Sequence, residues 1–353
     1  MKAKKVLGLA VTSVLAASLV AGCGTSDKST DNATGTGTTG AGDKKMTVAM
    51  VTDVGGIHDN SFNQSANEGL VKAEKELGIT KKVAESHRAE DYTPNLTSYV
   101  KGNADLTWGI GFLMADDIKK VAQANPNSKL GIIDSDLGGE IPKNVAAITF
   151  KEEEGSFLMG VLAAKMSKSH KVGFVGGVKF ALIEKFEYGF KAGVKAVDPT
   201  AEVTAVYADA FDKQDKGKLL ASQLYQQGDD IIFHAAGATG DGVFSEAKER
   251  GKGFWVIGVD RDQYELAPAN TLSSMVKRVD NAVFAVTKDL GANKFEGGKV
   301  TVLGLKEGGV DYAATTEKNT PKDVITLMDS YKTKIINGEI KVPATADEFK
   351  NFK

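Results

Sequence analysis

Cysteine is almost absent: the chain of 353 residues has one, Cys23, so no intramolecular disulfide can form and a packed core must hold the fold. Arginine is nearly as rare, at Arg88, Arg250, Arg261 and Arg278, so bidentate clamps for phosphates or carboxylates have little to draw on. The formal net charge of −2 gives no footprint for nucleic acid. The four histidines (His58, His87, His170, His234) show no metal-binding spacing, and no Gly-x-Ser-x-Gly elbow is present. No catalytic residue, metal site or cofactor is therefore expected. After the first 22 residues no apolar run reaches the roughly 18 residues a membrane span requires.

What is present begins at the N-terminus. Lys2, Lys4 and Lys5 precede an apolar run from Val6 to Val20, and small residues then lead directly into Cys23. This is the layout of a secretory signal over residues 1–22. A cysteine at that point resembles a bacterial lipobox, in which the thiol is lipidated and becomes the mature N-terminus. The expectation is a protein anchored to the extracytoplasmic face of a membrane and not threaded through it. Residues 23–45 comprise that cysteine and a Gly, Thr, Ser and Asp run without a large apolar side chain, which reads as a flexible tether.

The informative stretch is Thr47 to Gln64, TVAMVTDVGGIHDNSFNQ. A short apolar run of the kind a strand buried on both faces shows ends at Asp53, and Gly55 and Gly56 permit a turn. Ser61 with Gln64 reads as a capping box, opening a helix with Phe62, Ala66, Leu70, Ala73 and Leu77 on one face. The later glycines of a dinucleotide fingerprint and the Gly-Lys-Ser/Thr of a phosphate loop are both missing. Strand and helix patterns then alternate along the rest of the chain, in two runs of βα units. This predicts two doubly wound α/β lobes with largely parallel sheets, and ligands bind at the carboxyl ends of strands in such sheets.

Several predicted strand ends carry chemistry: Asp53, the Asp134/Asp136 pair before Gly138-Gly139, Phe211 after VYADA, Gly237 after IIFHAA, and Asp260 after FWVIGV. An aspartate at a strand end most often caps the following helix. Together, however, these residues place carboxylates and aromatics on facing edges of two lobes. Phe62 also begins the apolar stripe of its helix. Phe211 has polar neighbours at Asp209, Asp212, Lys213 and Gln214, and is expected to be an exposed aromatic or a contact surface.

The stretch MVTDVGGIHDNSFNQSANEGL resembles the opening signature of the basic membrane protein family, the PnrA-like surface lipoproteins. GIGF at 109–112, ITFKEEEGSFLMG at 148–160, KVGFVGG at 171–177, VIGVD at 256–260 and SSMVKR at 273–278 resemble its later blocks, in order. The resemblance implies a type I periplasmic-binding-protein-like fold, two α/β lobes joined by three hinge strands with the ligand in the cleft. It implies a receptor that delivers nucleosides, often purine nucleosides, to the permease and ATPase of an ABC importer. The lobes implied are 46–150 plus about 277–306, and 151–276 plus about 307–353. Carried over by residue, Phe62 and Phe211 would sandwich the base, while Asn63 and Asp136 would read its edge. Gly237, Asp260 and Lys277 would hold the ribose, with Asp53 at the mouth. Asn67 departs from the pattern, standing where many members have a tryptophan. A monomer is expected, with the membrane reached only through the lipid on Cys23. A receptor for a sugar or other small signal, or a nucleoside-processing enzyme, are the alternatives.

Overall fold

The computed structural model describes residues 45–353; the signal and tether expected at the N-terminus, with Cys23, lie outside the described residues. Five strands open the described chain: β1 (Thr47–Val51), β2 (Thr80–Ala84), β3 (Leu106–Ile110), β4 (Leu130–Ile133) and β5 (Val145–Phe150). Between them run α1 (Phe62–Leu77), α2 (Tyr92–Lys101) and α3 (Ala115–Ala124). β1, β3, β4 and β5 are apolar over nearly their whole length because helices cover both faces of the sheet, whereas the edge strand β2 carries Lys81 and Lys82 and has no buried residue.

Helix α4 (Glu152–Met166) leads into a second series: β6 (Lys171–Gly176), α5 (Ala181–Val197), β7 (Glu202–Tyr207), α6 (Gln214–Gln226), β8 (Ile231–Ala235), α7 (Gly240–Arg250), β9 (Trp255–Asp260) and β10 (Thr271–Lys277). Helix α8 (Val279–Gly291) returns the chain to the first sheet, where β11 (Lys299–Leu303) is added. The chain then passes to β12 (Val310–Tyr312), α9 (Lys322–Ile336) and α10 (Ala346–Lys350). The sheets have the orders β11-β5-β4-β3-β1-β2 and β12-β10-β9-β8-β6-β7. All pairings are parallel except that of β10 with β12. The fold is thus the expected pair of doubly wound α/β lobes.

Within the described residues the chain crosses between sheets three times: from β5 to α4, from β10 to α8, and from β11 to β12. Helix α4 lies against these crossings and is buried along most of its length. Its polarity pattern is accordingly not amphipathic, as befits a helix covered all round. The sequence patterns locate most elements within a few residues but leave α8 unread. Its apolar Val279, Ala282, Val283 and Leu290 are buried, yet they follow directly on β10 with no turn signal between. No helix among the described residues is long and apolar enough to cross a membrane.

Candidate functional site

The carboxyl ends of strands from both sheets converge on a cavity between the lobes. From the first lobe come Asp53, Asp59, Phe62 and Asn63 around the β1–α1 junction, Gly111 and Phe112 after β3, and Asp134 after β4. From the second come Phe186, Phe211, Gly237, Asp260 and Lys277. Seven of the eight expected ligand residues are therefore brought together.

The exception is Asp136. Its side chain is exposed, and Oδ1 accepts from the Gly138 amide at 2.9 Å, closing a tight turn on the surface. Asp134 faces the cavity in its place. Its backbone is left-handed, with φ of 68°, so the chain swings round directly after the strand. Asp260 occupies the matching place at the end of β9 with φ of 66°. Two non-glycine residues held in this sparsely populated region, one in each lobe, mark where the fold accepts local strain to aim carboxylates inward.

The β1–α1 junction is built differently from the capping box that Ser61 and Gln64 suggest. Ser61 makes no capping bond; its hydroxyl crosses the cleft and donates to Asp260 Oδ2. The cap is Asp59. Its Oδ1 accepts from the Ser61 and Gln64 amides at 2.9 and 3.0 Å, and its Oδ2 accepts from the Asn63 amide at 2.8 Å. A carboxylate here also meets the positive end of the α1 dipole. Asn63 is 1% exposed, and its side-chain amide donates to Asp53 Oδ1 at 2.7 Å and Asp59 Oδ2 at 3.0 Å. Its donors are thus engaged in bracing two carboxylates. Asp53 Oδ1 also accepts from the Gly55 amide at 2.9 Å, while Oδ2 points toward Gly111 and Phe62. A Cβ at Gly111 would stand 3.3 Å from that oxygen and 3.4 Å from the Phe62 ring, and its φ of 115° already favours glycine.

Lys277 lies at the centre, 2% exposed, and donates to Asp134 Oδ2 at 2.6 Å. Its Nζ is 3.7 Å from Glu152 Oε1 and sits 4.7 Å from the centre of the Phe62 ring. Burial alone would lower its pKa, but Asp134, Glu152 and Asp260 together outweigh burial and hold the ammonium charged. Burial raises Asp134, with Lys277 opposing, and likewise raises Asp53 and Asp260. Burial also brings Asp59 up to about 7 against its backbone hydrogen bonds. Asp134 Oδ1 and Glu152 Oε1 are buried without a hydrogen-bond partner. Four carboxyl groups and one ammonium line the cavity among the described residues, so it offers chiefly hydrogen-bond acceptors.

The aromatic residues complete the walls. Contrary to the expectation of exposure, Phe211 is only 9% exposed. Its ring lies on Gly177, where an added Cβ would come within 2.2 Å of Cε1. The polar neighbours of Phe211 in sequence concealed this, because the ring is covered by residues distant in the chain. Phe112, not foreseen as a site residue, meets Phe211 edge-on, with centroids 6.2 Å apart and planes at 81°. Gly237 turns beneath Phe211 with φ of 55°.

Polar contacts from the β1–α1 junction and α1 also join the lobes. Asn60 Nδ2 donates to Asp241 Oδ2 at 2.9 Å, Gln263 Nε2 donates to the Asn60 carbonyl at 3.0 Å, and Arg261 pairs with Glu68. Gln263 is held in turn by buried His234, whose Nε2 is 3.0 Å from Gln263 Oε1.

The sequence model of the family described as ABC transporter substrate-binding protein PnrA-like matches residues 46–346. A CD4+ T-cell-stimulating antigen of Listeria innocua is 42% identical, over 96% of this chain and 99% of that protein. An ABC transporter nucleoside-binding protein, BmpA, of Lactococcus lactis subsp. cremoris is 36% identical over 97% of this chain and 99% of that protein. Among solved structures, an ABC transporter solute-binding protein from Aeropyrum pernix K1 superposes with a TM-score of 0.79 at 30% identity, covering 87% of this chain and 96% of that one.

Proposed function

The chain belongs to the PnrA-like family of ABC transporter substrate-binding proteins, and on that premise we propose that it binds nucleosides, purine nucleosides first among them, for uptake. The observation that carries this reading is the pairing of aromatic walls with acceptor groups in one cavity. Phe62 and Phe211, from opposite lobes, offer faces for a planar base, and burying a flat ring between such side chains is favourable. Asp260 and Lys277 offer an acceptor and a donor for the ribose, since a carboxylate can take two hydroxyl donors. Asp53 Oδ2 and Asp134 Oδ1 remain to accept N–H groups of the base edge.

The named Lactococcus relative supports the ligand class, and its likeness extends over nearly the whole chain. In this reading Cys23 carries a lipid that keeps the receptor beside its permease and ATPase, and the receptor acts as a monomer. The test is native mass spectrometry of the purified protein, followed by titration calorimetry with adenosine, guanosine, inosine, uridine and cytidine. A co-purified nucleoside, or saturable binding of at least one of the five, is expected. Binding of none of them, with a sugar retained in their place, would overturn the reading.

A further inference from the structure

Phe112, Leu182 and Asp134 border two spaces at once: the cavity and a larger groove on one of its flanks. They are the partition between the cavity and solvent on that flank. Phe180 stands just outside this partition, lining the groove and not the cavity. It is 52% exposed.

Its ring lies on Phe112. The two rings are stacked, with centroids 4.6 Å apart and planes within 12°. Phe112 follows β3 of the first sheet, whereas Phe180 precedes α5 in the second lobe, so the stack spans the cleft. Phe112 meets Phe211 edge-on on the cavity side. Three rings thus run from solvent to the cavity wall, alternating between lobes. A stack of this kind exists only while the lobes are together, and separating them exposes both ring faces to water.

We propose that Phe180, acting through Phe112, is a positioning residue that holds this aromatic partition shut and sets how long a ligand stays in the cavity. The proposal rests on reading the cavity as the ligand site. Elsewhere the lobes are tied by hydrogen bonds and ion pairs, including that of Asp134 with Lys277, whereas Phe112 and Phe180 meet face to face with no hydrogen bond between them to break. Ligand leaves on the groove side. Because the stack forms only after closure, it acts on dissociation and not on encounter.

The test is stopped-flow measurement of association and dissociation for the tightest-binding of the five nucleosides above, on the parent, Phe180→Ala and Phe180→Tyr. The dissociation rate of Phe180→Ala should rise by about two- to tenfold, the worth of one aromatic pair. Its association rate and melting temperature should stay near those of the parent, since the ring is half exposed. Phe180→Tyr keeps the stack and should restore parental dissociation. An unchanged dissociation rate in Phe180→Ala, or failure of Phe180→Tyr to restore it, overturns the proposal. Should the parent bind none of the five, the nucleoside reading has failed. The partition is then judged by small-angle scattering of ligand-free protein, where a larger radius of gyration in Phe180→Ala than in the parent supports it and equal radii refute it.

Discussion

Asp134 and Lys277, which stand 143 positions apart in the chain, meet at 2.6 Å with both side chains at least 96% buried. One follows β4 of the first sheet and the other ends β10 of the second, so the pair ties the lobes together beside the β10–α8 crossing. Lys277 also faces Glu152 and Asp260, and it is the one ammonium among the groups lining the cavity in the described residues.

Removing that charge should be costly. Lys277→Met leaves buried carboxylates without their counter-charge, and breaking a buried pair in this way typically costs about 3–5 kcal/mol. Urea denaturation at pH 8 should show a loss of that order. At pH 5 the loss should shrink, because carboxyls whose pKa burial already raises then protonate readily. An equal loss at both values would show that the ammonium does not neutralise these groups.

Gly177 offers a way to move Phe211 without altering it. A Cβ at position 177 would stand 2.2 Å from the ring, so Gly177→Ala must displace Phe211. Overpacking of this kind costs about 1–3 kcal/mol in stability. If Phe211 stacks on the ligand base, nucleoside affinity should also fall, toward the loss of about 1–3 kcal/mol expected for Phe211→Ala. Calorimetry together with a thermal melt separates the two effects, and unimpaired affinity in a destabilised variant would place the base elsewhere.

Asp260 should distinguish ribose from deoxyribose. Asn is the replacement of choice because it tolerates the left-handed backbone at φ of 66°. Asn keeps one carbonyl acceptor and puts an N–H donor in place of the other carboxylate oxygen, so a ligand hydroxyl left buried without its acceptor costs about 1–3 kcal/mol. The parent should therefore prefer ribonucleosides to their deoxy counterparts and bind free bases poorly, and Asp260→Asn should lose much of that preference. A free base that binds as tightly as its ribonucleoside rules out this role.

The pH dependence of stability should carry a contribution from Asp59. Burial raises its pKa in the folded protein to about 7 from an ordinary 3.8, so the native state holds more protons than the unfolded chain between these values. Stability from this group therefore falls as pH rises through the window from about 4 to 7, by at most about 1.4 kcal/mol per pH unit, and is level above it. Asp59→Asn should remove that slope, so the stability difference between variant and parent should shift in the variant's favour as pH rises from 4 to 7 and stay constant above it. Unfolding free energies measured at intervals from pH 4 to 8 provide the check.

Cys23 is expected to carry the anchor. Cys23→Ala should leave the protein unprocessed or release it from the membrane fraction, and a variant that still partitions with lipid as the parent does would refute lipidation at that position.

The alternating strands and helices were legible in the amino-acid sequence because each depends on the periodicity of a few neighbouring residues, as in the apolar run of β1 ending at Asp53. The same local logic placed Asp53, Gly237 and Asp260 at strand ends and Phe62 at the start of the helix that follows one of them, facing one region. Tertiary structure decided what those side chains do there. Ser61 reads as a cap in sequence, but its hydroxyl reaches Asp260, 199 positions away, and Asp59 caps the helix instead. Asp134 and Asp136 cannot be told apart by spacing; the left-handed turn at Asp134 sends one carboxylate to Lys277 and the other to the surface. Phe211, polar-flanked in sequence, is covered by Gly177 and Phe112. In each case the deciding contact joins residues far apart along the chain, and desolvation depends on every atom that packs around a group, which local pattern does not contain.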